Sequence, residues 1–187
     1  MVEGNSSTVF VWTIGHGNLP LDLFVDLLHR HEPPISRLID VRSAPYSRFC
    51  PHFNRHSLEA ELAGAGIDYR FAGDYLGGRP TDPGLYLSGE VPTGKADYLH
   101  LVDYPAVARS GRFQIGLERL VDLARECPSA IMCSEGNPHI CHRHHLIAKA
   151  LVDRGVAVFH IRHNGSETVA AFTDAPSAVP TQSELFA

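Results

Sequence analysis

The sequence has no net positive charge, no long apolar run and few cysteines. Its 16 basic residues are outnumbered by 21 acidic ones, and the net charge of −5 excludes the broad basic field that drives nonspecific nucleic-acid binding. The absence of a long apolar run predicts that the protein has no membrane partner. Four cysteines without a secretory signal predict free thiols and a cytoplasmic location.

Lysine is also scarce, with two residues against fourteen arginines. Arginine forms bidentate contacts with phosphate and carboxylate groups, so this bias permits a local anion site. A GC-rich coding bias is the simpler explanation of the ratio as a whole. The scarcity of lysine therefore allows an anion-binding protein without establishing one.

The apolar residues that are present follow two alternating patterns. Short continuous runs, typical of strands buried on both faces, alternate with segments whose apolar residues recur at helical spacing. Strands are predicted over residues 9–14, 37–41, 69–72, 129–133 and 157–161, and helices over residues 21–28, 57–63, 113–124 and 142–153. This order predicts an α/β fold: a single three-layer, Rossmann-like domain over residues 9–165, with a mostly parallel sheet and helices on both faces.

Three segments fall outside this alternation. Residues 1–8 are interpreted as an N-terminal extension. Residues 174–187 are interpreted as a flexible C-terminal tail, because small, polar and proline residues dominate there. Residues 77–111 are rich in Gly, Pro and Tyr and are predicted to form a long loop with little regular structure. Loops of that length in compact domains are usually functional or mobile.

Polar residues of unusual types follow the predicted strands at their carboxyl ends, which is where ligands bind in parallel sheets. They occur in four segments: Gly15-His16-Gly17-Asn18, Asp40-Val41-Arg42-Ser43, Gly77-Gly78-Arg79-Pro80 and Cys133-Ser134-Glu135. Because parallel strands end at the same edge of a sheet, we expect the four segments to converge on one rim.

The densest chemistry lies in residues 131–145, which hold two of the four cysteines and four of the twelve histidines. This segment is interpreted as a strand–loop–helix turn that places Cys141 near a helix N-terminus. The helix dipole, together with Arg143 and His142, would lower the pKa of its thiol. That environment favours a nucleophile or metal ligand over a packing residue. Cys133 ends a buried strand, and packing is the favoured interpretation there.

The other candidates each have two interpretations. Arg42 and Arg143 can bind an anion or form internal ion pairs. The carboxylates of Asp40 and Glu135 can act as acid/base groups or cap backbone N–H groups. His16 lies between two glycines that allow close approach of a ligand, which favours ligand contact or general base catalysis. The predicted catalytic residues are Cys141, Glu135, His16 and Asp40, and the predicted ligand-binding residues are Arg42, Arg143, Asn18, Ser43, Asn54, Gly77, Gly78 and His142.

Metal binding is a separate question for the same segment. The spacing Cys-x₇-Cys-His is not a recognised zinc pattern. A site built from Cys133, Cys141, His142 and the distant His16 therefore requires the fold to bring them together. The sequence assigns neither a metal nor another cofactor, and it does not predict an oligomeric state.

Taken together, the motifs resemble a known family. The segments Thr13-Ile-Gly-His-Gly-Asn18, Leu38-Ile-Asp-Val-Arg-Ser43, Pro51-His-Phe-Asn54, Leu76-Gly-Gly78 and Cys133-x-Glu135-x-x-Pro138-x-x-Cys141-His-Arg143 look like the bacterial family labelled domain of unknown function 488. The resemblance spans about residues 11 to 163 and implies a fold and a residue set without a reaction.

A weaker likeness, of layout only, exists to rhodanese-type domains. These also carry Asp-Val-Arg after a central strand and a reactive Cys at a strand end, where Cys133 stands in this chain. Their anion loop is often closed by Arg six residues after the Cys, whereas His139 holds that position here and Pro138 interrupts the loop.

Three functions of different classes remain. The leading hypothesis is an enzyme, a hydrolase or transferase, that acts on a small anionic ligand resembling a phosphate or nucleotide at the Cys, His, Arg and carboxylate residues. The second is a binding module for nucleotides or nucleic-acid ends that uses the same arginines without turnover, although the net charge does not point to nucleic acid. The third is a metal-dependent enzyme with Cys and His ligands.

Overall fold

Five parallel strands and one antiparallel strand form a single sheet in the computed structural model, which describes residues 9–94 and 96–172. The strands are β1 (Phe10–Gly15), β2 (Arg37–Asp40), β3 (Asp68–Phe71), β4 (Ser129–Cys133), β5 (Ala157–Ile161) and β6 (Glu167–Val169). Their order in the sheet is β3-β2-β4-β1-β5-β6, with only β6 antiparallel to its neighbour. The prediction of a mostly parallel sheet is confirmed.

Helices connect the strands on both sides of this sheet. In the described ranges they are α1 (Leu21–His29), α2 (Arg55–Gly64), α3 (Gly73–Leu76), α4 (Tyr98–Leu101), α5 (Tyr104–Arg109), α6 (Gly111–Glu126), a π-helix (Arg143–Ala148) and α7 (Lys149–Val152), with 3₁₀ turns at Pro51–Phe53, Pro83–Leu85 and Pro138–Ile140. No helix in the described part of the chain is long and apolar enough to cross a membrane.

The side chains of β4 show how the sheet separates two cores. Successive residues of a strand point to opposite faces. Ala130 and Met132 join the apolar cluster of α1 and α2, whereas Ile131 and Cys133 join the cluster of α6, the π-helix and α7. The prediction of helices on both faces is confirmed, and Cys133 lies on the face covered by the π-helix.

The last long helix differs from its prediction. Residues 142–153 were expected to form one continuous helix, but the chain forms a π-helix over Arg143–Ala148 and continues as α7. Cys141 and His142 come directly before the π-helix, close to the expected place. Because π-helical turns are rare and are frequently found at functional sites, the start of this helix is a candidate functional position.

The prediction of an irregular loop over residues 77–111 is wrong for its second half. Asp103 caps α5 by accepting a hydrogen bond from the backbone N–H of Ala106, at 2.9 Å. The side chains of Tyr86, Val102 and Val107 are buried against the α6 face of the sheet. These short helices are stabilised by burial rather than by a long apolar repeat, which is why the sequence pattern did not indicate them.

The last strand, β6, lies close to the predicted end of the domain at residue 165. The predicted N-terminal extension, residues 1–8, and the predicted tail, residues 174–187, lie outside the described residues. Strand β6 was not predicted; it pairs with β5 through a turn in which Gly165 has a φ of 82°. The sheet therefore extends a few residues beyond the predicted boundary at 165.

A buried histidine pair lies at the edge of the α6-side core. His160 Nδ1 is 2.7 Å from Thr13 Oγ1, and His160 Nε2 is 2.9 Å from His144 Nδ1. Burial lowers the pKa of His160 to about 3, and the nearby charge of His144 acts in the same direction. His160 is therefore neutral at pH 7, and both of its ring nitrogens form hydrogen bonds within the protein.

We predict that acid destabilises the fold partly through His160. Its folded-state pKa lies below the value of about 6.5 expected in the unfolded chain, so the unfolded chain takes up a proton first as the pH falls. Stability is present above pH 6.5 and is lost as the pH falls toward the folded-state value. The variant His160→Gln should flatten this decline by up to about 1.4 kcal/mol per pH unit. Urea unfolding measured between pH 7 and 4.5 checks the slope.

The matched control is His29→Gln, because His29 is exposed on α1. Its slope should equal that of the unmodified protein. A decline of the same steepness in His160→Gln would contradict the assignment of His160 as a source of acid sensitivity.

Candidate functional site

A cleft of about 310 Å³ opens at the carboxyl ends of β2 and β4, and we call it the rim cleft. Its walls include seven of the residues selected from the sequence: Arg42, Ser43, Gly78, Cys133, Glu135, Cys141 and His142. The other lining residues are Ala44, Tyr46, Arg79, Ala96, Asp97, Tyr98, Leu99, Tyr104, Ser134 and Ile140. The expected convergence of the four segments on one rim is present, because the backbone N–H groups of His16 and Gly17 donate to the carbonyl oxygens of Cys133 and Ser134. Three of the segments line the cleft, and Gly15 to Asn18 do not.

Two sulfurs and one ring nitrogen meet in this cleft, and we call Cys133, Cys141 and His142 the donor triad. The Nδ1 atom of His142 is 3.6 Å from the Cys133 sulfur and 3.8 Å from the Cys141 sulfur. All three donor atoms lie within 4.8 Å of one another. Strand β4 brings the first cysteine to the rim, and the turn before the π-helix folds back to bring the other two residues against it.

The orientation of the His142 ring is fixed from its far side. Nε2 lies 3.2 Å from the carbonyl oxygen of Val41, and because a carbonyl can only accept, Nε2 carries the hydrogen. Nδ1 then presents its lone pair to the two sulfurs. A Cβ on Gly78 would lie 2.5 Å from His142 Cγ, so glycine is required there for the ring to occupy this place. Gly77 is similarly packed against Ser43 and does not line the cleft.

The surroundings shift the pKa values of the two cysteine thiols in opposite directions. The hydrogen bond from Cys141 is the largest cause that lowers the pKa of Cys133; the charge of Arg143 and the backbone N–H groups of Glu135 and Ser134 act in the same direction, against burial. The hydrogen bond to Cys133 and burial raise the pKa of Cys141. The predicted low pKa of Cys141 is wrong, because that thiol is the buried donor of the pair.

Asp40 and Arg42 form a buried ion pair at the cleft, which Arg42 lines. Arg42 donates from Nε, Nη2 and its backbone N–H to the carboxylate of Asp40, and the hydroxyl of Tyr69 donates to the same carboxylate. Arg42 Nη2 also donates to the carbonyl of Phe53, at 2.8 Å. Both side chains are almost inaccessible to solvent. The scaffold interpretation therefore accounts for every contact of this carboxylate.

His16 supports the same ion pair. Its Nδ1 lies 2.9 Å from the carbonyl of Gly17, so this nitrogen carries the hydrogen, and Nε2 accepts from Arg42 Nη1 at 3.3 Å. The ring stacks on Phe53 with the centroids 4.3 Å apart. Burial lowers the pKa of His16 to about 4, so the ring is neutral. His16 is near the expected rim but is turned into the protein, away from the rim cleft.

Arg143 is fully buried and holds the loop that follows β4. Its Nη1 and Nη2 groups donate to the carbonyl oxygens of Glu135 and Gly136. Its Nε atom has no hydrogen-bond partner among the described residues. A Cβ on Gly15 would collide with Glu135 and with the Arg143 guanidinium, so glycine is needed at that strand end. This burial argues against the expected role of Arg143 as a ligand anchor.

Three of the predicted ligand-binding polar residues shape the surroundings of the cleft. Asn18 is exposed outside it. The Oδ1 atom of Asn54 accepts the backbone N–H of Ser47 at 2.6 Å, which organises the segment before α2. The hydroxyl of Ser43 lines the cleft and accepts the backbone N–H of Arg79 at 3.0 Å.

Three cleft residues that carry useful side chains were not singled out from the sequence: Tyr46, Tyr98 and Tyr104. Arg79 belongs to the segment of residues 77–80 expected at this rim, and it also lines the cleft. The guanidinium of Arg79 lies over the Tyr98 ring, 4.6 Å from its centroid. The pKa of Tyr104 is raised by burial first and then by the nearby Cys141 and Cys133, so its hydroxyl stays protonated. The richness of residues 77–111 in Tyr and Gly was the available signal, but its pattern named no individual residue.

Comparison with known proteins identifies one match. A family model with the description Domain of unknown function DUF488 matches residues 20–151. This range contains the donor triad and the Asp40–Arg42 ion pair, and it begins after His16. No curated protein and no solved structure matches the chain. The description of the family names no reaction, so it assigns no function to this site.

We predict that Asp40→Asn strongly destabilises the protein. Removing one charge of a buried pair leaves the other charge without a partner, which costs about 3–5 kcal/mol. The control is Asp26→Asn, because Asp26 forms an exposed ion pair with Arg30 and such pairs contribute little. Equilibrium unfolding in urea measures both changes. A loss in Asp40→Asn no larger than in the control would contradict the scaffold role.

Proposed function

This chain belongs to the family described as Domain of unknown function DUF488, and we propose that it is a metal-dependent enzyme. The donor triad holds one zinc ion, and the rim cleft takes a small substrate next to it. The observation that carries this proposal is the distance between the imidazole nitrogen and each of the two sulfurs.

The spacing of the donor triad suits a tetrahedral zinc ion. Zinc binds thiolate sulfur at about 2.3 Å and imidazole nitrogen at about 2.0 Å, so tetrahedral angles require an S···N separation of about 3.5 Å. The separations in the protein are 3.6 Å for Cys133 and 3.8 Å for Cys141. Both S···N separations therefore suit a bound zinc ion.

The surroundings of the triad support the same proposal. A histidine that binds a metal usually donates its other ring N–H to a carbonyl or carboxylate, and His142 donates to Val41. The Cys141 sulfur accepts the backbone N–H of Arg143 at 3.5 Å, and backbone N–H groups also lie against the Cys133 sulfur. Such hydrogen bonds stabilise sulfur in its negatively charged form.

Three protein ligands leave one position of a tetrahedral ion free. All three members of the donor triad line the rim cleft, so the free position faces the space that a substrate would enter. Catalytic zinc sites have this arrangement of three protein ligands and one open position, whereas structural sites are closed by four. The proposed ion would act as a Lewis acid or activate a water molecule.

Glu135 is the proposed acid/base residue of a hydrolytic reaction. Its side chain is exposed in the cleft two residues after Cys133, and Arg143 fixes its backbone carbonyl. In zinc-dependent nucleobase deaminases, a Glu two residues after a zinc ligand transfers protons without binding the metal. Asp40 and His16, the other predicted acid/base candidates, are engaged in the buried scaffold and are not assigned catalytic roles.

A metal-free thiol enzyme is the second candidate. One observation favours it: the backbone N–H groups of Ser134 and Glu135 and the charge of Arg143 all lower the pKa of Cys133. A thiolate stabilised in this way is a nucleophile. Both candidates use the same sulfur, so the presence or absence of a metal ion separates them.

We predict that the protein, purified without chelators or nickel chromatography, contains about one equivalent of zinc. Mass-spectrometric metal analysis measures the amount, and replacement by Co²⁺ should give the thiolate-to-cobalt absorption of a Cys₂His site. Cys133→Ser and His142→Ala should each reduce the metal content severalfold. Since His142 is only half-buried, its variant tests the site with little risk to folding.

The matched controls are Cys50→Ser and Cys127→Ser, which remove the two free cysteines outside the triad. Both should retain the metal. If His142→Ala and the control variants retain equal amounts of metal, or if the unmodified protein takes up none when zinc is supplied, the metal-dependent function is contradicted.

Alkylation supplies a second test of the same sulfur. In protein stripped of metal, we predict that iodoacetamide labels Cys133 faster than Cys141, because the pKa of Cys133 is the lowered one. Zinc added before the reagent should suppress the labelling. Peptide mass spectrometry reads the site and rate of modification. Labelling that zinc does not slow would favour the metal-free thiol enzyme, and faster labelling of Cys141 would contradict the assigned order.

A further inference from the structure

Arg79 is the cation of the rim cleft that remains available to a substrate. Four charged side chains line the cleft: Arg42, Arg79, Asp97 and Glu135. Arg42 is committed to Asp40, whereas Arg79 has no carboxylate partner among the described residues. The backbone N–H of Arg79 donates a hydrogen bond to the Ser43 hydroxyl. The exposed guanidinium of Arg79 lies over the Tyr98 ring. The fork of Arg79 can therefore bind an anionic group without breaking an internal ion pair.

The cleft also offers an aromatic surface. Tyr46 lines the cleft while its side chain is 73% exposed. An exposed aromatic ring in a concave site can stack on a planar ring of a ligand. Tyr98 is occupied on one face by Arg79. Tyr46 is thus the ring that is positioned to stack on a substrate.

The charge and size of the cleft limit what it can hold. Asp97 and Glu135 place two carboxylates in the same space as Arg79, so a ligand with more than one phosphate would meet repulsion. The volume of about 310 Å³ lies at the lower end of the range for small-molecule sites. A long polyanion is disfavoured further by the net charge of −5.

From these observations, and resting on the proposed metal-dependent function, we propose that the substrate class is a nucleoside monophosphate. Arg79 binds the phosphate and Tyr46 stacks on the base, next to the donor triad. Arg79 and Tyr46 determine specificity in this assignment. It differs from the expectation from the sequence, in which Arg42 and Arg143 held the anion.

Titration calorimetry with AMP, ADP, adenosine and inorganic phosphate tests the proposal on the full chain. AMP should bind at least about tenfold more tightly than adenosine, because a charge-assisted bidentate contact is added. AMP should also bind more tightly than ADP or phosphate. Arg79→Gln should remove the preference for AMP over adenosine, and Arg79→Lys should restore part of it. Tyr46→Ala should weaken AMP and adenosine by the same factor.

The matched control is Arg48→Gln, because Arg48 is an arginine near Tyr46 that does not line the cleft. It should bind both probes as the unmodified protein does. A preference for AMP that Arg79→Gln leaves intact overturns the proposal. Equal binding of AMP and inorganic phosphate overturns the nucleoside part, and tighter binding of a single-stranded oligonucleotide than of AMP overturns it in favour of nucleic acid.

Metal analysis of the same samples separates this inference from the proposed function. Arg79→Gln should contain as much zinc as the unmodified protein, since Arg79 is not a member of the donor triad. If AMP binds through Arg79 but no sample contains metal, the metal-dependent function fails while the ligand assignment holds. If zinc is bound but no nucleotide is, the ligand assignment fails alone.

Discussion

The carboxyl edge of the sheet depends on one buried ion pair, between Asp40 and Arg42. Removing two charges from water is costly, and the cost is offset only when their hydrogen-bonding groups are satisfied. Asp40 accepts four hydrogen bonds, and Arg42 also binds Phe53 and His16. The pair therefore joins β2 to the ends of β1 and β3 and to the turn before α2. One wall of the rim cleft is positioned by these contacts.

Arg143 connects this scaffold to the chemistry of the donor triad. Its guanidinium is fully buried with carbonyl oxygens as its hydrogen-bond partners in the described chain, so no carboxylate balances its charge there. That charge lowers the pKa of the nearby Cys133 thiol and so favours the thiolate. The residue that fixes the loop after β4 thus also prepares the sulfur at the start of that loop. Metal binding and nucleophilic attack both require this thiolate.

Sequence periodicity was sufficient for the sheet, the long helices and the common edge, because those features follow from apolar spacing and from the geometry of parallel strands. It was insufficient for the direction in which a polar side chain points. Whether Arg143 faces a ligand or two carbonyl groups depends on the path of the loop from 134 to 142. The order of the two thiol pKa values depends on which one donates to the other. The donor triad has no standard spacing, since this loop brings Cys141 and His142 back onto Cys133.

The predicted site residues divide by burial, and this division has a chemical reason. Arg42 and the two cysteines of the donor triad are buried and held by several contacts, which would preorganise them for the proposed reaction. Glu135 and Arg79, which would meet a ligand and release it under the proposed function, are exposed in the cleft. Charged residues of one type can serve either purpose, so residue type alone does not separate scaffold from contact. The number of partners within the protein separates the two roles. Arg42 donates hydrogen bonds to Asp40 and Phe53, whereas the Arg79 guanidinium lies over the Tyr98 ring.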